Sequence, residues 1–261
     1  ESSSPANYTK SLGSDCSGTL APGDAKTCTI TNDDQPPTLT IIKTTTGGDG
    51  TFNFTVVGPD PSTNTVLTTS VKTTDGHGSV GPTDTEMVGL NLTAGHYTVS
   101  EAPKTGWDFG GASCASKGGG GGGSSVTNLS ALSAQFTAGI GESWDCTFSN
   151  TKRSSITVVK DVVSPSGGDV SDAHSFTVTL NGGDAQSISE GASYTYSNLL
   201  PNQQYTIAEG QDANYGDITI SGACAANGTI TPTPGQNATC TITNKQKQGT
   251  LTIIKHVINH D

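Results

Sequence analysis

The stretch LTIIK at residues 39–43 alternates apolar and polar side chains and ends its apolar face on a lysine. Because side chains of a β-strand alternate between two faces, Leu39, Ile41 and Lys43 share one face of the predicted strand. The pattern recurs as ITVVK at residues 156–160 and as LTIIK at residues 251–255. Lysine is almost never fully buried unless it is paired. Three lysines at the ends of apolar strand faces therefore predict partners for their side-chain amines.

The rest of the chain has the composition of an all-β protein. Its 261 residues include 34 glycines, and short alternating runs are separated by Gly, Pro or Asn. Such runs are typical of strands joined by turns. No stretch of ten residues shows a convincing helical period. We therefore predict an all-β fold of tandem immunoglobulin-like β-sandwich domains.

The charge of the chain argues against some classes of partner. The formal net charge is −11, with only 12 Lys and Arg residues. This balance argues against a nucleic acid or an anionic membrane as a partner. No segment approaches the run of about 18 apolar residues that a membrane-spanning helix needs. The expected partners are other copies of the chain, adjoining domains of a longer chain, or a ligand on a cell surface.

The six cysteines follow the same repeat. One cysteine opens each of the segments TCTITN (27–32), DCTFSN (145–150) and TCTITN (239–244), and one further cysteine precedes each of them. This arrangement predicts three local disulfides and an oxidising, extracellular setting. The clustered C-x-x-C or His spacing of a metal site is absent, so we predict no metal and no cofactor. The predicted pairs are Cys16–Cys28, Cys114–Cys146 and Cys224–Cys240.

Asparagine sequons suit the same compartment. The N-x-[ST] pattern marks candidate glycosylation sites on surface loops of secreted proteins. A glycoprotein is therefore expected if the source organism glycosylates asparagine. The sequon residues are Asn7, Asn53, Asn91, Asn128, Asn227 and Asn237.

The repeats define the predicted domains. Residues 37–150 and 154–246 are each expected to form a complete sandwich. Residues 1–34 correspond to the C-terminal part of an incomplete domain, and residues 250–261 to the first strand of a further one. This frame, without a signal peptide or sorting signal, indicates a processed form or an excerpt of a longer tandem array. The alternative is head-to-tail donation of the C-terminal strand to a neighbouring subunit.

Two other recurring strands end their apolar faces on a polar residue. YTVSE (97–101) and YTIAE (205–209) end on a glutamate, whereas WDCTFSN (144–150) and CTITN (240–244) end on an asparagine. If the three kinds of strand pack together, one Lys, one Glu and one Asn meet in a water-poor interior.

This meeting has a chemical consequence. Burial lowers the pKa of a lysine and raises that of a carboxyl, by up to about 3–5 units. The neutral amine is a nucleophile, and a protonated glutamate can pass its proton to a departing nitrogen. The hypothesis is a Lys–Asn isopeptide bond that forms once, with loss of ammonia. The chain would then be no enzyme beyond this single autocatalytic turnover. The alternatives are lysine stems that pack while their amines reach solvent, and ordinary exposed Glu–Lys ion pairs.

Strands of the L-x-[IV]-x-K, Y-x-[VI]-x-E and T-[IF]-x-N types, in this order, resemble the B-type repeats of collagen adhesins and Gram-positive pilins. These repeats have a prealbumin-like sandwich of the Cna-B or SpaA type. The segment EAPKTGW (101–107) is similar to that family's E-box, and the resemblance covers most of residues 37–244. It implies that the Lys and Asn are covalently joined and that the Glu catalyses the joining. The implied sets are Lys43, Glu101 and Asn150; Lys160, Glu209 and Asn244; and, in incomplete domains, Lys255, Glu1 and Asn32.

The chain also departs from that family. The second unit continues its glutamate as EGQDANY (209–215) and lacks the Ala-Pro-x-Gly continuation. A cysteine pair beside the bond is not typical of the Gram-positive pilins, so a disulfide could replace the isopeptide. We expect an extracellular fibre, pilus-like filament or surface stalk. The alternative is a cell-surface adhesin that binds a ligand through loops such as 58–90 or 110–130.

Overall fold

The structure is a computed structural model that describes residues 6–62, 64–84, 90, 92–117, 126–128 and 132–258. The chain divides into two compact units, residues 1–152 and 153–261. The described residues form β-strands and one 3-10 turn, Ser14–Cys16, and contain no α-helix. The predicted all-β fold is therefore confirmed.

The first unit begins with a hairpin. Strands β1 (Tyr8–Leu12) and β2 (Ile30–Asp34) pair antiparallel, and the disulfide Cys16–Cys28 closes the loop between them. The side chains of β2 are exposed. The sandwich of this unit lies in the nine strands that follow.

These strands are β3 (Thr38–Thr46), β4 (Thr51–Val57), β5 (Thr65–Lys72), β6 (His77–Val80), β7 (Gly95–Glu101), β8 (Trp107–Ser116), β9 (Val126–Asn128), β10 (Ser133–Ala138) and β11 (Ser143–Lys152). One sheet has the order β6-β3-β11-β8, and the facing sheet has the order β5-β4-β7-β10-β9. Aromatic and aliphatic side chains from both sheets fill the core between them.

The second unit has two sheets of four strands. Its strands are β12 (Ser154–Val163), β13 (Ser175–Leu180), β14 (Gly183–Ser189), β15 (Ser193–Leu199), β16 (Tyr205–Glu209), β17 (Tyr215–Gly222), β18 (Thr229–Ile230) and β19 (Asn237–Gln246). The orders are β15-β12-β19-β17 and β14-β13-β16-β18.

In each unit the strand that carries the lysine lies beside the strand that carries the asparagine. β3 pairs with β11, and β12 pairs with β19, and both pairings are parallel. All other strand pairings in the two units are antiparallel among the described residues. Inward residues alternate along these strands, so the predicted inward face of LTIIK is confirmed: Leu39, Ile41 and Lys43 are buried.

The third of the lysine-ending segments, LTIIK at residues 251–255, has a different environment. Residues 250–258, the described part of the predicted last strand, form no strand. Their apolar side chains are exposed, with Leu251 at 87% and Ile254 at 85%. A strand requires a neighbour to satisfy its backbone groups, and no strand of the described residues pairs with this segment. The assignment of residues 250–261 to a further domain, like the other domain bounds, stays a prediction.

Candidate cross-link sites

The first site joins residues from both sheets of the first unit. Lys43 lies on β3 and Asn150 on the adjacent β11, and both side chains point into the sandwich. Glu101 is the last residue of β7 in the facing sheet. Period-two alternation places each of these residues on the buried face, because each follows apolar residues two and four positions earlier.

The three side chains are in direct contact. Lys43 Nζ donates a hydrogen bond to Asn150 Oδ1 at 2.8 Å and lies 3.2 Å from Glu101 Oε2. Asn150 Nδ2 donates to Glu101 Oε1 at 2.6 Å. The amine, the carboxyl and the carboxamide thus form a closed triangle in which each group contacts the other two.

The environment of this triangle is apolar. The side chains of Lys43 and Glu101 are 0% and 1% exposed. The amine lies over the ring of Phe52, 4.5 Å from its centroid. Burial lowers the pKa of Lys43, against the attraction of Glu101, and burial raises the pKa of Glu101, against the attraction of Lys43. Both shifts favour the uncharged pair, a free amine beside a carboxylic acid.

The second unit repeats the arrangement. Lys160 on β12 lies 3.4 Å from Glu209 Oε2, and both side chains are 0% exposed. Asn244 Nδ2 on β19 donates to Glu209 Oε1 at 2.5 Å. The Lys160 amine lies 4.3 Å from the centroid of the Phe176 ring. Burial again lowers the pKa of the lysine and raises the pKa of the glutamate.

The two sites differ in the hydrogen bonds of the amine. Each amine donates to the backbone oxygen of the next residue, Thr44 at 3.4 Å and Asp161 at 3.1 Å, but Lys160 Nζ donates also to the Ile242 backbone oxygen at 3.1 Å where Lys43 Nζ donates to Asn150 Oδ1. Asn244 Oδ1 is buried and accepts no hydrogen bond from the described residues. The second carboxamide is therefore held through its nitrogen alone, whereas Asn150 is held through both of its polar atoms.

One oxygen of each glutamate is suited to carrying a proton. Glu101 Oε2 and Glu209 Oε2 are buried, and neither accepts a hydrogen bond of good geometry from the described residues. Each nevertheless lies within 3.2–3.4 Å of a lysine amine. A buried carboxylate oxygen without donors costs free energy, and a proton bound to it removes that cost.

The rings of Phe52 and Phe176, which lie beneath the two lysine amines, were not among the site residues predicted from the sequence. A signal was present, because each is the first buried residue of the strand that follows the lysine strand. Which strand faces the lysine depends on the connection between sheets, and the period-two pattern does not specify that connection.

The cysteines pair as their spacing predicted. The structure contains the disulfides Cys16–Cys28, Cys114–Cys146 and Cys224–Cys240. The last two disulfides each join the asparagine strand to the neighbouring edge strand of its sheet or to the residues just after that strand. Cys114 lies on β8, and Cys224 follows β17. Each disulfide cysteine of these strands lies four residues before the asparagine, at Cys146 and Cys240.

The third predicted set is not assembled in the described residues. Asn32 lies exposed on β2, and Lys255 lies exposed in the segment 250–258. Glu1 lies outside the described residues. Their role as members of incomplete domains stays a prediction.

Four sequon asparagines lie at exposed positions: Asn7, Asn53, Asn227 and Asn237. Asn128 lies in β9, where only the backbone is described, and Asn91 lies outside the described residues. Within the described ranges no group of three or more His, Cys, Asp or Glu side chains could hold a metal ion. The described part of the chain also has no helix long and apolar enough to cross a membrane.

Comparison with known proteins gives one family match. Residues 39–152 match the model of the SpaA-type prealbumin-like fold domain. No curated protein sequence matches the chain significantly.

The solved structures that match this chain, all at low TM-scores, include pilus proteins. The major pilin protein T-13 of Streptococcus pyogenes is 14% identical, with 80% of this chain and 97% of that chain covered and a TM-score of 0.28. The pilus adhesin SpaC of Lactobacillus rhamnosus GG, in its open conformation, is 17% identical, with 96% and 35% covered and a TM-score of 0.31. The TIE protein of Bacillus anthracis is 16% identical, with 85% and 36% covered and a TM-score of 0.29. TM-scores this low do not show that this chain shares the roles of those proteins.

Proposed function

We propose that this chain is a structural component of an extracellular fibre, pilus-like filament or surface stalk. The premise is the match of residues 39–152 to the SpaA-type prealbumin-like fold domain. In this proposal each sandwich is closed by a Lys–Asn isopeptide bond, Lys43–Asn150 in the first unit and Lys160–Asn244 in the second. The observation that carries the proposal is that, in both units, a buried lysine amine and a buried asparagine carboxamide contact the same glutamate.

The chemistry requires only the three side chains. The neutral lysine Nζ attacks the asparagine Cγ, while the protonated glutamate, bound to the carboxamide, polarises it. The Nζ–Cγ bond forms and the Cγ–Nδ2 bond breaks. The glutamate delivers its proton to the leaving nitrogen and takes one from Nζ, so that ammonia departs and the glutamate is regenerated. Contact of the groups before the reaction supplies a large effective concentration.

The bond forms once per domain, so the chain has no turnover. Its effect is mechanical, because a covalent tie between the first and last strands lets tension pass around the rest of the sandwich. The disulfides support an oxidising, extracellular location, since disulfides form and persist there. Assembly with other copies, or with adjoining domains of the same chain, is the expected context for such a part.

The test is the intact mass of the folded and then fully reduced chain. We expect a mass lower than the calculated one by two molecules of ammonia. Glu101→Ala and Glu209→Ala should each restore one ammonia, and the double variant both. In each single variant the other domain serves as the internal control. An unmodified wild-type mass would contradict the proposal and favour a cell-surface adhesin whose domains are held by disulfides alone.

A further inference from the structure

The two cross-link sites share their inner residues but differ at their outer rim. Phe54 pairs with Glu101 and Val178 pairs with Glu209, so Phe52 and Phe176 occupy equivalent places. Two residues before these rings, the first unit has Gly50 and the second has His174.

The residues after the glutamate and the asparagine differ in charge. Three residues after the glutamate, the first unit has Lys104 and the second has Asp212. Two residues after the asparagine, the first has Lys152 and the second has Gln246. Lys104 and Lys152 lie over the rings of Phe52 and Trp107. The rim of the first site therefore carries fixed cations, whereas the rim of the second carries a carboxylate and a histidine.

His174 is built into the rim by contacts on several sides. Its Nε2 lies 2.9 Å from Asp212 Oδ2 in the loop after β16. Its ring packs against those of Phe176 and Tyr215, with centroids 4.8 and 5.5 Å away. Its backbone N–H donates to Asp172 Oδ1 at 2.8 Å. The imidazole is thus fixed against the same phenylalanine ring that lies beneath the Lys160 amine.

The first unit has a glycine at the matching position, where a side chain would be tightly placed. A Cβ placed on Gly50 would lie 3.2 Å from the Phe52 ring and 3.3 Å from Lys104 Cε. The histidine is therefore a feature of the second site alone, within the described residues of the two units.

We propose that His174 is a positioning residue for the Lys160–Asn244 reaction and that its charge sets the pH at which the second domain closes its bond. The inference rests on the isopeptide function proposed above. Histidine is the side chain that changes charge between about pH 5 and 8. An imidazolium at this position attracts the Glu209 carboxylate and so disfavours the protonated glutamate that the reaction needs. A neutral imidazole removes that attraction.

The direction of the effect follows from the groups around the imidazole. The attraction of His174 opposes the burial that raises the pKa of Glu209, although it is the smallest of the contributions. Titratable and charged groups come close to the imidazole from five parts of the second unit. They are Asp172 on its own segment, Asp212 in the loop after β16, Glu209 on β16, Tyr215 on β17 and Lys160 on β12. Lowering the pH should therefore slow the second bond relative to the first.

The test uses the full chain, solubilised unreacted in denaturant and refolded across about pH 5.5–8. The cross-linked peptide of each domain is quantified with time by mass spectrometry after reduction and digestion. In the wild type, the ratio of second-domain to first-domain rates should fall from about pH 8 to pH 5.5, because the imidazolium attracts the Glu209 carboxylate.

Two substitutions fix the charge in opposite senses. His174→Gln is neutral at every pH and should keep the ratio high, whereas His174→Lys is positive at every pH and should keep it low. His96→Gln is the matched control, because His96 lies at the start of β7, with Nδ1 3.1 Å from Thr137 Oγ1, in the first unit. A purely structural role would make the Gln and Lys variants slow the bond alike.

The outcomes separate this inference from the proposed function. A wild-type ratio that does not change with pH, or equal ratios in the Gln and Lys variants, would overturn the role of His174 while both bonds still form. Absence of both bonds in folded wild-type chain would overturn the isopeptide function together with this inference. If the Lys variant does not fold, the pH profile of His174→Gln against the wild type decides.

Discussion

Lys43 and Lys160 are 0% and 1% exposed, and each amine contacts a glutamate and lies over a phenylalanine ring. Such an amine and carboxyl cost free energy in either form, because a charged pair loses its hydration and a neutral pair exists only against the ordinary pKa values of the two groups. Such a pair is a poor source of stability. A reaction that converts the amine into a neutral amide removes that cost permanently, which gives a physical reason for keeping the lysine inside.

The cost of the buried lysine can be measured in chain that does not cross-link. Glu101→Gln should block the first bond and leave the Lys43 amine without its counter-charge. Adding Lys43→Met to this variant replaces the stranded amine by an apolar side chain of similar length. We expect the second substitution to raise the free energy of unfolding of the first domain by about 3 kcal/mol. Urea unfolding of the two variants measures the difference, and equal midpoints would contradict a buried, uncompensated amine.

A second prediction concerns Asp172. Its pKa is lowered, first by the hydrogen bond from the Tyr215 hydroxyl and then by that from the His174 backbone. A lowered carboxyl pKa contributes stability above the unfolded-state value, and that stability is lost as the pH falls through the folded-state value. Asp172→Asn should therefore cost about 1 kcal/mol at pH 7 and less at an acidic pH below the folded-state pKa of Asp172.

Urea titrations at the two pH values test this dependence. Asp169→Asn is the matched control, because Asp169 is an exposed carboxyl of the same unit. A loss that is equal at both pH values would show that the substitution acts through packing and not through the charge of Asp172.

The residues that carry the candidate chemistry could be predicted from the sequence to different extents. The inward direction of Lys43, Glu101 and Asn150 follows from period-two alternation, which is a local property of each strand. The contact of His174 with Asp212 could not be predicted, because the two residues meet only after the loop behind β16 folds over the start of β13. Local patterns specify the direction of a side chain, whereas its partner depends on the order of the strands.

The same distinction holds for elements. The sequence predicts a strand at residues 39–43 and a hairpin turn at the glycines of residues 47–50. The hairpin prediction is wrong, because β3 and β4 lie in different sheets and residues 47–50 connect them across the sandwich. Residues 251–255 have the same sequence as residues 39–43 and yet form no strand. β3 is stabilised by β6 and β11 on its two sides, and the later segment pairs with no strand. An alternating pattern therefore predicts the capacity to form a strand, and the neighbours decide the outcome.

The approach of β16 to the turn before β18 predicts a steric limit. Gly228 has φ +82°, and a Cβ on it would lie 2.0 Å from the backbone oxygen of Ile207. Gly228→Ala should separate the chain from β16 and cost about 3 kcal/mol. Gly182→Ala is the matched control, since Gly182 has φ +74° with no atom within 4 Å, and it should cost about 1 kcal/mol. Equal losses in thermal or urea unfolding would contradict the close approach.

At the scale of the molecule, the parallel pairs decide how a pulled domain resists. β3 enters the first sandwich and β11 leaves it, in parallel register from Thr38 opposite Ser143 to Thr46 opposite Thr151. Tension along the chain therefore shears this pair. A Lys43–Asn150 bond would carry that tension directly and leave residues 44–149 outside its path. The Cys114–Cys146 disulfide lies wholly within that protected segment.

Single-molecule stretching of the first domain should therefore give three distinct results. The cross-linked domain should show no unfolding step, whether or not its disulfide is present. Within the segment 44–149, Glu101→Ala should release residues 44–113 and 147–149, an extension of about 250 Å at ~3.4 Å per residue, because the disulfide still holds the segment between its cysteines. Adding Cys114→Ala and Cys146→Ala should release all of residues 44–149, about 360 Å. A step of about 250 Å in the wild type would mean that the disulfide alone resists the load. If loss of the disulfide left the step of Glu101→Ala unchanged, the tension would not follow the path through β3 and β11 that the strand order indicates.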